Sequence, residues 1–74
     1  MENSERKFIE KFGETLRTIR IKKNLSQEML ANDANIPINQ IGRIERAEIS
    51  TSLSTIYKIS KALDISILSL FDFE

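Results

Sequence analysis

The chain has no cysteine, no histidine and no tryptophan, and its 74 residues include only two glycines and one proline. Without cysteine there is no disulfide framework, thiolate nucleophile or thiolate metal site, and without histidine the commonest general base and zinc ligand are missing as well. Metal-dependent and hydrolytic chemistry therefore start from a poor inventory, so neither an enzyme nor a cofactor is expected. No apolar run is long enough to span a bilayer, and the opening Met-Glu-Asn-Ser-Glu lacks both the basic flank and the apolar stretch of a signal peptide. The expectation is a cytoplasmic protein with no membrane contact. Net charge is zero, with 11 basic and 11 acidic residues, which argues against coating nucleic acid through bulk electrostatics.

The distribution of charge says more than its sum. Residues 17–46 carry six basic and three acidic groups, whereas both flanks are net acidic. At this length a single domain spanning residues 1–74 is expected, with so little apolar surface to bury that a partner subunit would help it.

Few helix breakers, and Ile and Leu recurring every three or four residues, indicate an all-α chain with short connections. Phe8, Phe12, Leu16 and Ile19 predict an amphipathic helix from about Glu5 to Lys23. It stops at Asn24, a residue that tolerates the left-handed backbone of a helix end. Ser26 can cap a second helix running to about Asp33, with Leu30, Ala31 and Ala34 inward. A third follows from about Pro37 to Arg46, with Ile41 and Ile44 buried and Pro37 suited to a helix start. Ser52 can cap a fourth, with apolar positions Leu53, Ile56, Ile59 and Leu63, and Ser66 a short fifth.

The second helix, a short turn and the third helix, at about residues 26–46, make a helix-turn-helix. The stretch L-S-Q-E-M-L-A-N-D-A-N-I-P-I-N-Q-I-G-R-I-E-R resembles the motif of the phage-repressor and Cro (XRE-type) family of transcriptional regulators. The similarity extends back to F-G-E-T-L-R-T-I-R-I-K-K-N and on through S-L-S-T-I-Y-K-I-S-K-A-L-D-I to L-S-L-F, about residues 12–71. It implies a compact five-helix, lambda-repressor-like DNA-binding domain whose third helix enters the major groove of double-stranded DNA. Small stand-alone members of that family include phage repressors and restriction-modification controller proteins. Asn35 and Asn24 stand where the family commonly has glycine, and asparagine keeps the positive φ that glycine supplies.

With Ile41 and Ile44 inward, the outer stripe of the third helix comprises Ile38, Asn39, Gly42, Arg43 and Arg46. Arg43 can pair with guanine and Asn39 with adenine, each discriminating by about 1–3 kcal/mol. Ile38 can meet a thymine methyl or pack onto the second helix. Gly42, unfavourable inside a helix, would allow close approach to the groove. The resemblance implies that Gln27, at the start of the second helix, holds a phosphate. Lys23, Arg46, Thr51 and Ser52 are further phosphate candidates. It also implies a structural ion pair between Arg20 and Glu45. The chain departs from its relatives at A-E-I-S-T-S, where Glu48 sets an acid beside the expected phosphate track.

Six apolar residues in the nine of I-S-I-L-S-L-F-D-F are too many for one face of a short helix on a small core. A homodimer interface within about residues 52–74, using Ile67, Leu70, Phe71 and Phe73, would cover the excess, and so would folding back onto the first helix. The functional expectation is a homodimer on a palindromic operator, occluding a promoter or contacting RNA polymerase. The alternative is a protein-interaction module, such as an antitoxin with a secondary DNA-binding role.

Overall fold

The apolar series along the N-terminal third is wound into α1 (Asn3–Lys22), which buries Phe12 and Leu16 along one face. The structure, a computed structural model, describes residues 3–73. Met1 and Glu2 of the opening segment, and Glu74 at the end of the expected pairing region, lie outside the described residues. Three further α-helices follow: α2 (Gln27–Ala34), α3 (Ile38–Glu45) and α4 (Leu53–Leu63). The expected fifth helix is a single 3₁₀ stretch, Ile67–Phe71, opened by the Ser66 hydroxyl accepting from the Leu68 N–H. Among the described residues there is no strand, and no helix is long and apolar enough to cross a membrane.

Each start has a local cause. Ser26 Oγ accepts from the Met29 N–H at 3.0 Å and Ser52 Oγ from the Thr55 N–H at 3.2 Å. Pro37 sits at the N-cap of α3 rather than inside it and offers no side-chain cap. The ends share one device. Asn24, Asn35, Ala47 and Asp64 all have φ between 57° and 60°. Behind them Leu25, Ile36, Glu48 and Ile65 donate their N–H groups back to the carbonyls of Arg20, Ala31, Arg43 and Ser60. These are Schellman closures, which satisfy carbonyls that a helix end leaves unpaired. Two rest on asparagine as the sequence suggests; Asp64 is a residue type that also tolerates this backbone, and Ala47 alone carries no such signal.

The core lies where α1, α4 and the 3₁₀ helix close over the α2–α3 pair. Leu16, Leu30, Ile41, Ile44, Ile59, Leu63 and Leu70 are its fully buried large side chains. Gly13 is required by the packing of α1 on α3: a Cβ there would stand 2.5 Å from the Ile44 carbonyl oxygen and 2.7 Å from that of Glu45.

Two expectations are corrected. Leu53, read as inward, is 81% exposed, because α4 turns its first residue away from the core. The C-terminal apolar segment is largely covered by its own chain. Leu70 is fully buried and has no surface to offer a second copy. Phe71 lies 5.1 Å from Phe12, centroid to centroid, and Phe73 lies 5.3 Å from Phe8, edge to face. Phe8, in the first half of α1, thus supplies the ring that packs on Phe73, and what remains exposed is Leu68, at 74%, and in lesser part Ile67.

Candidate nucleic-acid interface

The position of α3 is fixed by a buried polar cluster. Arg20 Nε donates to Glu45 Oε2 at 2.6 Å and Nη2 to Oε1 at 3.0 Å, while Nη1 donates to the Leu25 carbonyl at 2.8 Å. Gln27 Nε2 completes it with a bond to Glu45 Oε1 at 3.0 Å. One carboxylate therefore ties the end of α1 and the start of α2 to the last residue of α3. Buried charges persist only when satisfied in this way. The Gln27 amide, assigned to phosphate by the resemblance, donates inward instead, which leaves the first N–H groups of α2 as the part of that terminus still open to an anion.

Outward from this frame α3 presents Ile38, half exposed, with Asn39 and Arg43, both exposed. Gly42 does not belong to that face. It is buried, and a Cβ on it would meet Arg46 Nη1 at 2.8 Å and Gln27 Oε1 at 3.1 Å. The room left by the missing side chain is filled by Gln27 and Arg46 of the same chain. The outward stripe is narrower than the offsets along one helix suggest, because a neighbouring helix covers part of it.

Arg46, the C-cap of α3, is exposed and engaged. Its Nε lies 2.7 Å from Glu48 Oε2 and its Nη2 3.4 Å from Oε1, while Arg43 Nε stands 3.9 Å from Oε1. The hydrogen bond from Arg46 holds the Glu48 carboxyl below its ordinary pKa. The same bond, with the Coulombic attraction of Glu48, raises that of Arg46.

Of the other phosphate candidates, Lys23 is exposed just past the end of α1. Ser52 is exposed, with its hydroxyl engaged as the α4 cap and 3.0 Å from Thr55 Oγ1. Thr51 is a correction. Its Oγ1 is buried without a hydrogen-bond partner, and the residue lines an apolar cleft with Phe8, Phe12, Ile44 and Ile56. A hydroxyl in that position does not face the surface where a phosphate would pass.

Sequence reasoning missed Arg17, which lines a polar groove together with Gln27, Glu45 and Arg46. The available signal was its place one turn before Arg20 on α1. Arg6 was also unassigned; its Nη1 donates to the Ala47 carbonyl at 3.0 Å, and its Nε pairs with Glu10 at 3.1 Å. A cation there also suits the negative end of the α3 dipole.

The helix-turn-helix family HTH_3 matches residues 16–70. The chain is 44% identical to control protein C.BamHI of Bacillus amyloliquefaciens over 63 residues, which are 84% of this chain and 78% of that protein. It is 40% identical to control protein C.SmaI of Serratia marcescens over 55 residues, 74% of this chain and 66% of that one. The crystal structure of the restriction-modification controller protein C.AhdI from Aeromonas hydrophila superposes with a TM-score of 0.84 at 41% identity. That match covers 85% of this chain and 96% of the controller.

Proposed function

The chain belongs to the HTH_3 (XRE-type) helix-turn-helix family of DNA-binding transcriptional regulators, and on that premise we propose that it is a homodimeric controller that reads a palindromic operator through α3. The observation that carries this reading is the Arg20–Glu45–Gln27 cluster, which holds α3 against α1 and α2 with Ile38, Asn39 and Arg43 turned outward. Arg43 and Asn39 are then the base readers, and Ile38 contacts a thymine methyl. Arg46, Lys23, Ser52 and the N–H groups at the start of α2 hold phosphate.

Residues 1–74 act as one DNA-binding domain, and pairing falls within residues 52–74 and the surface beside them. Leu53 and Tyr57, four apart on α4, and Ile67 and Leu68 on the 3₁₀ helix packed against it, are exposed large apolar side chains. They replace Leu70, Phe71 and Phe73 as the residues that meet the second copy. Two recognition helices would then lie about 34 Å apart along one face of the duplex. Such a dimer represses by occluding a promoter, and activates by touching RNA polymerase when its site lies just upstream.

The test is selection of bound duplexes from a random pool at two salt concentrations, with the natural chain and Arg43→Ala. Expected are a palindrome, affinity that falls with salt, and relaxed preference at one base pair per half-site in the variant. A folded dimer that enriches no sequence would sink the regulator reading. A folded chain whose apolar face is covered only by a different protein would support the interaction-module alternative.

A further inference from the structure

We infer that Glu48 is an internal rival to phosphate for Arg46 and Arg43, an acid of the DNA-binding surface that holds down its affinity for DNA, so that sequence offering no base contacts is left weakly bound. The inference rests on the regulator reading above and adds a role for an acid that this reading leaves unused.

The first ground is how firmly the acid is placed. Glu48 donates its N–H to the Arg43 carbonyl at 2.8 Å, and Ala47, with φ of 58°, donates to that of Ile44 at 3.0 Å. Arg6 reaches across from α1 to the Ala47 carbonyl. The backbone bearing the carboxylate is thus bonded on both sides, unlike that of a freely moving surface acid. Its two oxygens take Arg46 at 2.7 and 3.4 Å, and one faces Arg43 at 3.9 Å.

The second ground is a contrast within the fold. Four helices close with the same motif, and the residue that ends it is Leu25 after α1, Ile36 after α2 and Ile65 after α4. All three are partly buried and pack on the core, the usual use of that position. After α3 alone the position holds an acid, whose side chain turns not to the core but to Arg46 and Arg43. A place ordinarily spent on packing carries a negative charge at the end of the helix that faces DNA.

The chemistry sets the consequence. Non-specific association is almost wholly electrostatic, whereas operator binding adds base-edge contacts that repay the release of Arg43 from the acid. A carboxylate on the two arginines therefore disfavours every complex in which they turn to DNA, and only operator sequence offers base contacts to offset that cost. It also reduces the number of phosphates the surface can neutralise.

The experiment compares the natural chain, Glu48→Gln and Glu5→Gln on the selected operator and on a scrambled duplex across a salt series. Glu5 is exposed in the first turn of α1, outside the pairing region and off α3, and its change removes the same charge. Glu48→Gln should bind both duplexes several-fold tighter at low salt. Its plot of log affinity against log salt should steepen by about one per chain. Glu5→Gln should change neither. Unchanged scrambled binding, an equal gain in Glu5→Gln, or weaker operator binding in Glu48→Gln would each overturn the inference. If the natural chain binds no duplex at any salt, it is the regulator reading that fails.

Discussion

Arg20 and Glu45, 25 residues apart, meet in a doubly bonded ion pair that is more than nine-tenths buried, with Nε to Oε2 at 2.6 Å. Every remaining bond of the carboxylate and the guanidinium ends on Gln27 or the Leu25 carbonyl. Removing one partner of such a pair leaves an uncompensated buried charge, which costs about 3–5 kcal/mol, whereas replacing both by apolar groups is often neutral. Arg20→Met should therefore lower the unfolding free energy in urea by about 3 kcal/mol or more. Arg20→Met combined with Glu45→Leu should recover most of that loss. A single variant as stable as the natural chain would show that the pair does not hold α3.

How far the sequence foretold this arrangement depends on whether the cause was local. The four α-helices follow from apolar spacing and from serine caps, which act within one or two turns, and their ends fall within a few residues of expectation. Asn24 and Asn35 could be read as left-handed because asparagine tolerates that conformation, while Ala47 is held there by bonds from Arg6 and across the end of α3. The exposure of Arg43, Asn39 and Ile38 was legible, since it needs only the phase of one helix. The burial of Gly42, of the Thr51 hydroxyl and of Leu70 was not, because what covers each comes from elsewhere in the chain. Five residues are also too few to separate a 3₁₀ stretch from a turn of α-helix.

Gly13→Ala tests the closest approach in the fold. Alanine in a helix interior usually gains about 0.5–1 kcal/mol over glycine. Here the added methyl would stand within 3 Å of two backbone oxygens at the end of α3, neither of which belongs to a flexible side chain. Helix α1 has to move away, and overpacking of this kind costs about 1–3 kcal/mol. A net loss in thermal stability is expected. A gain in Tm would mean that α1 and α3 sit further apart than described.

Gly42→Ala has a different balance, because its neighbours are side chains. Arg46 can swing its tip aside at little cost, and Gln27 has to shift by a few tenths of an ångström from the place where it bonds Glu45. That disturbance opposes a helix-propensity gain of about 0.5–1 kcal/mol, so stability should stay within about 1 kcal/mol of the natural chain. Because Gly42 is covered from within, the base preference recovered by duplex selection should be unchanged, with any loss confined to overall affinity. A changed preference would return Gly42 to the contact face.

Thr51→Val addresses the buried hydroxyl beside the apolar cleft. Oγ1 has no partner, and a buried polar group left unpaired costs about 1–3 kcal/mol. Valine keeps the branched shape while putting a methyl against Phe8, Phe12, Ile44 and Ile56. The variant should be more stable by about 1 kcal/mol, which for a domain of this size raises Tm by about 4–8 °C. Operator affinity should hold, because this hydroxyl faces the interior; a marked loss of binding with the fold intact would show that it turns outward to a phosphate when DNA is present.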